Sequence, residues 1–234
     1  MSFKQFKALT FDVVGTLIDF EAGILAHVRE VAGEAGKARS DDDILKAYRE
    51  ARASTDSGWW PDDLERCYHV IASKLGLPDN DDYAKGLAQA VKNFPAFPDS
   101  VEALKRLRKH FKLVATTNSQ IWALNYMAET LDQPFDVRVT VDDVRFEKPD
   151  PQFFAYTRGV LATQGILFEN ILHVAQSQYH DIGVAMRLGD QTCWIERRFA
   201  QKGTGGTLES ERTEPHYHFT SLAQLADAVE KELG

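Results

Sequence analysis

Five short runs, Ala8–Val13, Leu113–Thr117, Val137–Val141, Ile171–Ala175 and Thr192–Ile195, are mostly apolar from end to end and do not alternate with polar residues. Strands of that kind need cover on both faces, which is the situation of a parallel sheet. Helical patterns separate them: Ser100–Lys109 behind a capping Asp99, Ile121–Leu131, Pro151–Gly165 and Tyr179–Leu188. Strand–helix alternation predicts an α/β fold with a doubly wound parallel sheet. The pattern breaks once. From Phe20 to Phe94 no strand is legible, and Phe20–Glu34, Asp41–Ser54, Asp62–Leu75 and Asp81–Lys92 all read as helices, with Asp41, Asp62 and Asp81 as caps or first-turn acids and Gly76 as a stop. The predicted organisation is a core built from 1–18 and 97–234, with a helical cap at 19–96 inserted directly after the first strand and Pro95 and Pro98 at the return.

The 234 residues carry a formal net charge of -8, which argues against a nucleic-acid surface. No secretion signal and no membrane-length apolar run is legible, so a cytoplasmic location is expected. Cys67 and Cys193 then read as two reduced thiols. Ala200–Pro215 is polar and contains Gly203, Gly205 and Gly206. It reads as a flexible surface loop; no strand leads into its glycines and no Gly-Lys-Ser/Thr follows, as a phosphate loop would require. Leu222–Leu233 reads as a closing amphipathic helix capped by Thr220 or Ser221.

Open parallel sheets collect ligands at the carboxyl ends of their strands. The first strand delivers Asp12 to a turn formed by Gly15 and Thr16; the second ends in Thr117-Asn118-Ser119; after the third comes Glu147-Lys148-Pro149-Asp150-Pro151; the fourth is followed by Gln176, Ser177 and Asp181. Each group has a purely structural reading: Asp12 as a turn cap, Thr117 and Asn118 as helix caps, Asp181 as a first-turn acid, and Lys148 as one more solvated lysine. What favours chemistry is convergence. Pro149 keeps Lys148 out of the helical region, and Asp150 and Pro151 then start a helix, so the ammonium is held at a loop–helix junction. Thr117, Asn118 and adjacent N–H groups could hold an anion. His180, as the neighbour of Asp181, is expected to point elsewhere, and His216 and His218 lack a second ligand motif, so no zinc site is assigned.

Asp12-Val13-Val14-Gly15-Thr16-Leu17, Thr117-Asn118, Lys148-Pro149-Asp150, and Ser177 with Asp181 resemble the four motifs of the haloacid dehalogenase superfamily, over nearly the whole chain. The resemblance implies a Rossmann-like core with a cap. Phosphatases of this superfamily carry a second Asp two residues after the nucleophile and an acidic pair in the fourth motif; here those positions hold Val14 and Gln176. The pattern is therefore most similar to the 2-haloacid dehalogenases. That branch implies Asp12 as nucleophile, Lys148, Ser177 and Asp181 as its catalytic partners, and Val14, Thr16, Thr117 and Asn118 around the substrate. It also implies Arg49 in Tyr48-Arg49-Glu50 as halide acceptor, with Arg52 as the fallback, and no metal or cofactor. Val14 and Phe154 stand where many relatives have Tyr, and Gln178 where they have Asn. Trp59 and Trp60 are candidate pocket walls. The implied partner is a small halogenated carboxylic acid, and a homodimer is the family's expectation. Three other readings stay open: a magnesium phosphatase, another carbon-centred hydrolase of a small acid (opening of a strained ring, for example), and a non-catalytic binding protein.

Overall fold

The computed structural model describes residues 2–234. Six strands form one sheet: β1 (Ala8–Phe11), β2 (Lys112–Thr117), β3 (Val137–Thr140), β4 (Ile171–Ala175), β5 (Gln191–Ile195) and β6 (Tyr217–Phe219). Their spatial order is β3-β2-β1-β4-β5-β6, and every pair is parallel. The chain winds outward from β1 in one direction and resumes at β4 in the other, so the topological switch lies between β1 and β4, where such sheets bind ligands. Both strands are buried along their whole length, as their uninterrupted apolar sequences require.

Ten α-helices complete the fold among the described residues: α1 (Phe20–Lys37), α2 (Asp41–Arg52), α3 (Leu64–Leu75), α4 (Asp81–Ala90), α5 (Ser100–Leu107), α6 (Ile121–Thr130), α7 (Val141–Val144), α8 (Pro151–Ala162), α9 (Gly183–Arg187) and α10 (Leu222–Leu233). The first four follow one another with no strand of the sheet between them; α2 packs on α3, α3 on α4 and α1 on α4, around Leu64, Tyr68, Ile71 and Leu87. The chain enters this helical region past Ile18 and leaves it past Ala96, and the two crossings pair as an antiparallel bridge.

Several elements differ from the sequence reading. Strand β1 stops at Phe11 because the Gly15 turn already begins at Val13, whose carbonyl accepts the N–H groups of Leu17 and Ile18. Val141 starts a helical turn under a Thr140–Asp143 capping box rather than ending a strand. The helix expected at Tyr179–Leu188 opens as a π-helical turn, Gln178–Ile182, before α9. Ser40 and Asn80 cap α2 and α4, with Asp41 and Asp81 standing as acids in their first turns; α3 starts at Leu64, beyond Asp62; Ser221 caps α10. Gly76 ends α3 in the left-handed region, and Asp150 caps α8 with Pro151 in its first turn. Asp99 does not cap its own helix: its backbone is already helical, and its carboxylate instead accepts the N–H groups of Leu222 and Ala223 and pairs with Arg197, tying α10 to α5. Strand β6, three residues long, was not legible in the sequence. Both cysteines are free and buried. No helix among the described residues is long and apolar enough to cross a membrane.

Candidate active site

Asp12 follows β1 directly, and its N–H continues the ladder to the Val174 carbonyl at 3.1 Å. The turn behind it needs glycine: Gly15 has φ +92°, and a Cβ there would lie 3.1 Å from the Phe20 ring. That turn brings Thr16 back beneath the carboxylate. Its hydroxyl donates to Asp12 Oδ2 at 2.7 Å and accepts the Gln176 N–H at 2.8 Å, which fixes the nucleophile candidate to the loop after β4.

Lys148 is 2% exposed, and each proton of its ammonium has an acceptor: Asp12 Oδ1 at 3.0 Å, Asp181 Oδ1 at 2.6 Å and the Thr116 carbonyl at 2.8 Å. Asn118 holds the lysine's backbone at both ends, accepting its N–H at 2.7 Å and donating to its carbonyl at 2.8 Å. Behind Asp181 stands His173, with Nε2 2.9 Å from Asp181 Oδ1 and Nδ1 2.9 Å from the Thr10 hydroxyl. A carboxylate only accepts, so the imidazole donates through Nε2. The result is a buried chain: Thr10, His173, Asp181, Lys148, Asp12 and Thr16. Asp181 Oδ2 has no hydrogen-bond partner among the described residues.

The charges in this chain are unequal. Burial pushes the Asp12 carboxyl above its ordinary range, against the pull of Lys148. Burial would also raise Asp181, but Lys148 and His173 outweigh it and hold that carboxyl at about 2. Burial works against the Lys148 ammonium, and its two carboxylates more than restore it, raising its pKa.

A cavity of about 340 Å³ opens onto this array. Asp12, Val14, Thr117, Asn118, Lys148, Ser177 and Asp181 line it from the core; Phe20, Tyr48, Arg52 and Trp60 line it from the helical region. Asn118 lines the cavity with its side-chain amide committed to Lys148. Three expectations need correction. Thr16 is fully buried and lies beneath Asp12 instead of facing the cavity. Arg49 is not in the cavity wall: it donates to the Gly205 carbonyl and pairs with Glu209 at 3.2 Å. Tyr48 and Arg52, one helical turn apart, share the face of α2 that looks into the cavity, and Arg49 is rotated about 100° from it. Last, His180 lines the same cavity as Asp181, because the wider π turn carries both inward. Trp60 contributes to the wall, whereas Trp59 stacks under Arg145.

Glu147, His173 and the segment after Ala200 escaped the sequence reading. Arg52 binds Asp63 at 2.5 Å and the Gly58 carbonyl at 2.7 Å and lies 3.6 Å from Glu147, a half-buried acid that burial raises above its ordinary range. Glu147 sits beside Lys148 in sequence, a signal that could have been used. His173 reads only as a polar residue within a strand. The segment after Ala200 is not a loose loop, since Gly206, Thr207 and Leu208 line the cavity.

His180 gives a pH test. Burial lowers its imidazole from 6.5 to about 4, so it is neutral in the folded protein at neutral pH. A depressed histidine favours folding most where it stays neutral in both states. Stability contributed by this site should therefore be present above pH 6.5 and be lost as pH falls from 6.5 to about 4, where the unfolded chain binds the proton first. Denaturant titrations of the protein and of His180→Gln between those pH values should show a steeper loss in the former; equal slopes would refute the assignment.

A doubly wound sheet with carboxylate, lysine and carboxylate gathered at its switch point places the protein among α/β enzymes with a switch-point active site. The chain belongs to the haloacid dehalogenase-like hydrolases, whose family model matches residues 6–189. It is 26% identical over 243 residues to (S)-2-haloacid dehalogenase 4A of Burkholderia cepacia, covering 97% of this chain and 96% of that protein. The L-2-haloacid dehalogenase structure from Xanthobacter autotrophicus superposes with a TM-score of 0.74 at 20% identity, over 96% of this chain and 98% of that one. A defluorinating L-2-haloacid dehalogenase gives a TM-score of 0.76 at 22% identity, over 96% and 95% of the two chains. At such identities the two structures carry the fold, not the substrate.

Proposed function

We propose that this protein is a dehalogenase of small 2-haloalkanoic acids, releasing 2-hydroxy acids with inversion at C2. The observation that carries the reading is the pairing of Asp12 with Lys148 in a site with no acid two residues after the nucleophile to protonate a leaving alkoxide: Val14 stands there. A halide leaves without a proton; a phosphate ester's alcohol does not.

In this scheme residues 19–96 act as the cap over a core of 1–18 and 97–234. The Thr117 hydroxyl and the cavity-facing side of Asn118 hold the substrate carboxylate, and Arg52 with Trp60 faces the departing halide. Trp60 Nε1 is buried beside Tyr48 with no hydrogen-bond acceptor at bonding geometry among the described residues, a donor suited to that task. An Asp12 oxygen attacks C2, the carbon–halogen bond breaks with its electron pair on the halide, and an ester forms. Water then adds to the Asp12 carbonyl carbon, held by Asp181 Oδ2 and the Ser177–His180 side of the cavity. One water proton ends on the hydroxy acid, and the other leaves as the carboxylate reforms.

The donor set does not fit a magnesium ion. Mg²⁺ takes six oxygens in a near-octahedral shell, but Asp12 and Asp181 both grip Lys148, the Val14 side chain supplies no oxygen where a second carboxylate would stand, and Gln176 Oε1 faces Thr207. The test is halide release from chloro-, bromo- and fluoroacetate and from both 2-chloropropionate enantiomers with a chelator present. Release from the (S) enantiomer, giving the (R)-hydroxy acid, is expected; release from none of them overturns the proposal.

A further inference from the structure

The segment following β5 does something no motif announces. Gly205 and Gly206 are buried, in a stretch whose composition suggests exposure. The segment is clamped from three sides. Arg49, from α2, donates to the Gly205 carbonyl. Glu21, from the first turn of α1, accepts the Gly206 N–H at 2.8 Å and is itself held by Arg198 at 2.6 Å. Thr207 reaches Gln176 Oε1, after β4, at 3.3 Å. The Gly205 carbonyl and the Gly206 N–H are thereby paired with side chains from α1 and α2, which a merely draped loop would not require.

The approach is also too close for any side chain. A Cβ at Gly206 would lie 2.8 Å from Phe20 and 3.2 Å from Tyr48, both of which line the cavity. Gly205 has φ +60°, and a Cβ on it would fall 2.0 Å from Glu21 Oε1. Two glycines thus let the backbone lie flush against the aromatic side of the cavity, and the next two residues, Thr207 and Leu208, complete the wall.

We propose that Gly205–Leu208 is the specificity-determining wall of this cavity, and that Leu208 limits the length of the carbon chain a substrate can carry. The proposal rests on the small-acid reading of the site. It gives Arg49 a function different from halide binding: it positions the wall. Loss of a branched apolar side chain from a pocket changes discrimination by about 10-fold or more, so Leu208→Ala should raise the ratio of kcat/KM for 2-chlorohexanoate over chloroacetate by at least about that factor, chiefly through KM. Arg49→Ala should relax the same ratio, and Arg49→Lys should restore part of it, which a general loss of stability would not do.

The experiment has two arms. The first measures that ratio in the unaltered protein, Leu208→Ala, Arg49→Ala and Arg49→Lys. The second measures binding of inert acetate, butanoate and hexanoate by calorimetry, where Leu208→Ala should favour hexanoate relative to acetate. Failure of every haloacid to react, with length-dependent binding intact, overturns the dehalogenase reading and keeps the wall. An unchanged length preference in Leu208→Ala, or no binding of any of the three acids, overturns the wall.

Discussion

Asp12→Asn should lower kcat for halide release by about 10³-fold or more, with the protein still folded. The amide keeps the shape of the carboxylate and its oxygen can still accept from Lys148, but its NH2 end cannot accept from Thr16, whose hydroxyl must turn to accept instead, and it has no anionic oxygen to form the ester. Burial has already pushed the Asp12 carboxyl upward, so the charge that makes it a nucleophile is one the fold accommodates at a cost. Removing that charge leaves Lys148 paired with Asp181 alone, and the thermal midpoint of Asp12→Asn should be equal to or above that of the unaltered protein. Activity lost with stability held is the signature expected of a nucleophile; a variant that keeps more than a tenth of its activity would exclude Asp12 from that role.

Lys148→Met should be damaging in both respects. Methionine fills much of the same space but leaves Asp12 and Asp181 buried with no cation between them, where Lys148 had bonded them at 3.0 and 2.6 Å. Breaking a buried pair by removing one partner costs about 3–5 kcal/mol. The two acids would then share a proton, as like charges in one site do. The sign of the pH dependence follows. A carboxyl whose folded pKa is raised adds stability below its unfolded value, and that stability is lost as pH rises through the folded pKa. Lys148→Met should therefore be more stable at pH 5 than at pH 8, and adding Asp181→Asn should recover part of the loss at pH 8. Denaturant unfolding of the single and double variants at both pH values measures this; a single variant with the same pH slope as the unaltered protein would show that Lys148 does not neutralise the pair.

What the sequence made legible follows a physical division. Asp12, Lys148 and Asp181 were readable because local grammar places each one: Gly15 and Thr16 behind the first, Pro149 and Asp150 after the second, a strand end before the third. The parallel sheet was readable because β1 and β4 are apolar throughout. Tertiary partners were not. Arg49 and Arg52 lie three residues apart on one helix, and only packing decides which of them faces inward. Asp99 caps a helix more than a hundred residues away. Glycine, threonine and glutamate after Ala200 have a loop's composition, and what makes that segment a wall is Glu21 and Arg49, far earlier in the chain. His180 was expected to turn away from Asp181, as neighbours on a regular helix do, and the π turn changes that spacing.

The central claim is that Asp12 attacks carbon and that water then attacks Asp12. A single turnover of (S)-2-chloropropionate by excess enzyme in water enriched with heavy oxygen tests it directly, with mass analysis of the peptide that contains Asp12 and of the lactate released. The account predicts one heavy oxygen in Asp12 and none in the lactate. Heavy oxygen in the lactate with none in Asp12 would mean that water attacked C2 itself, and would contradict it.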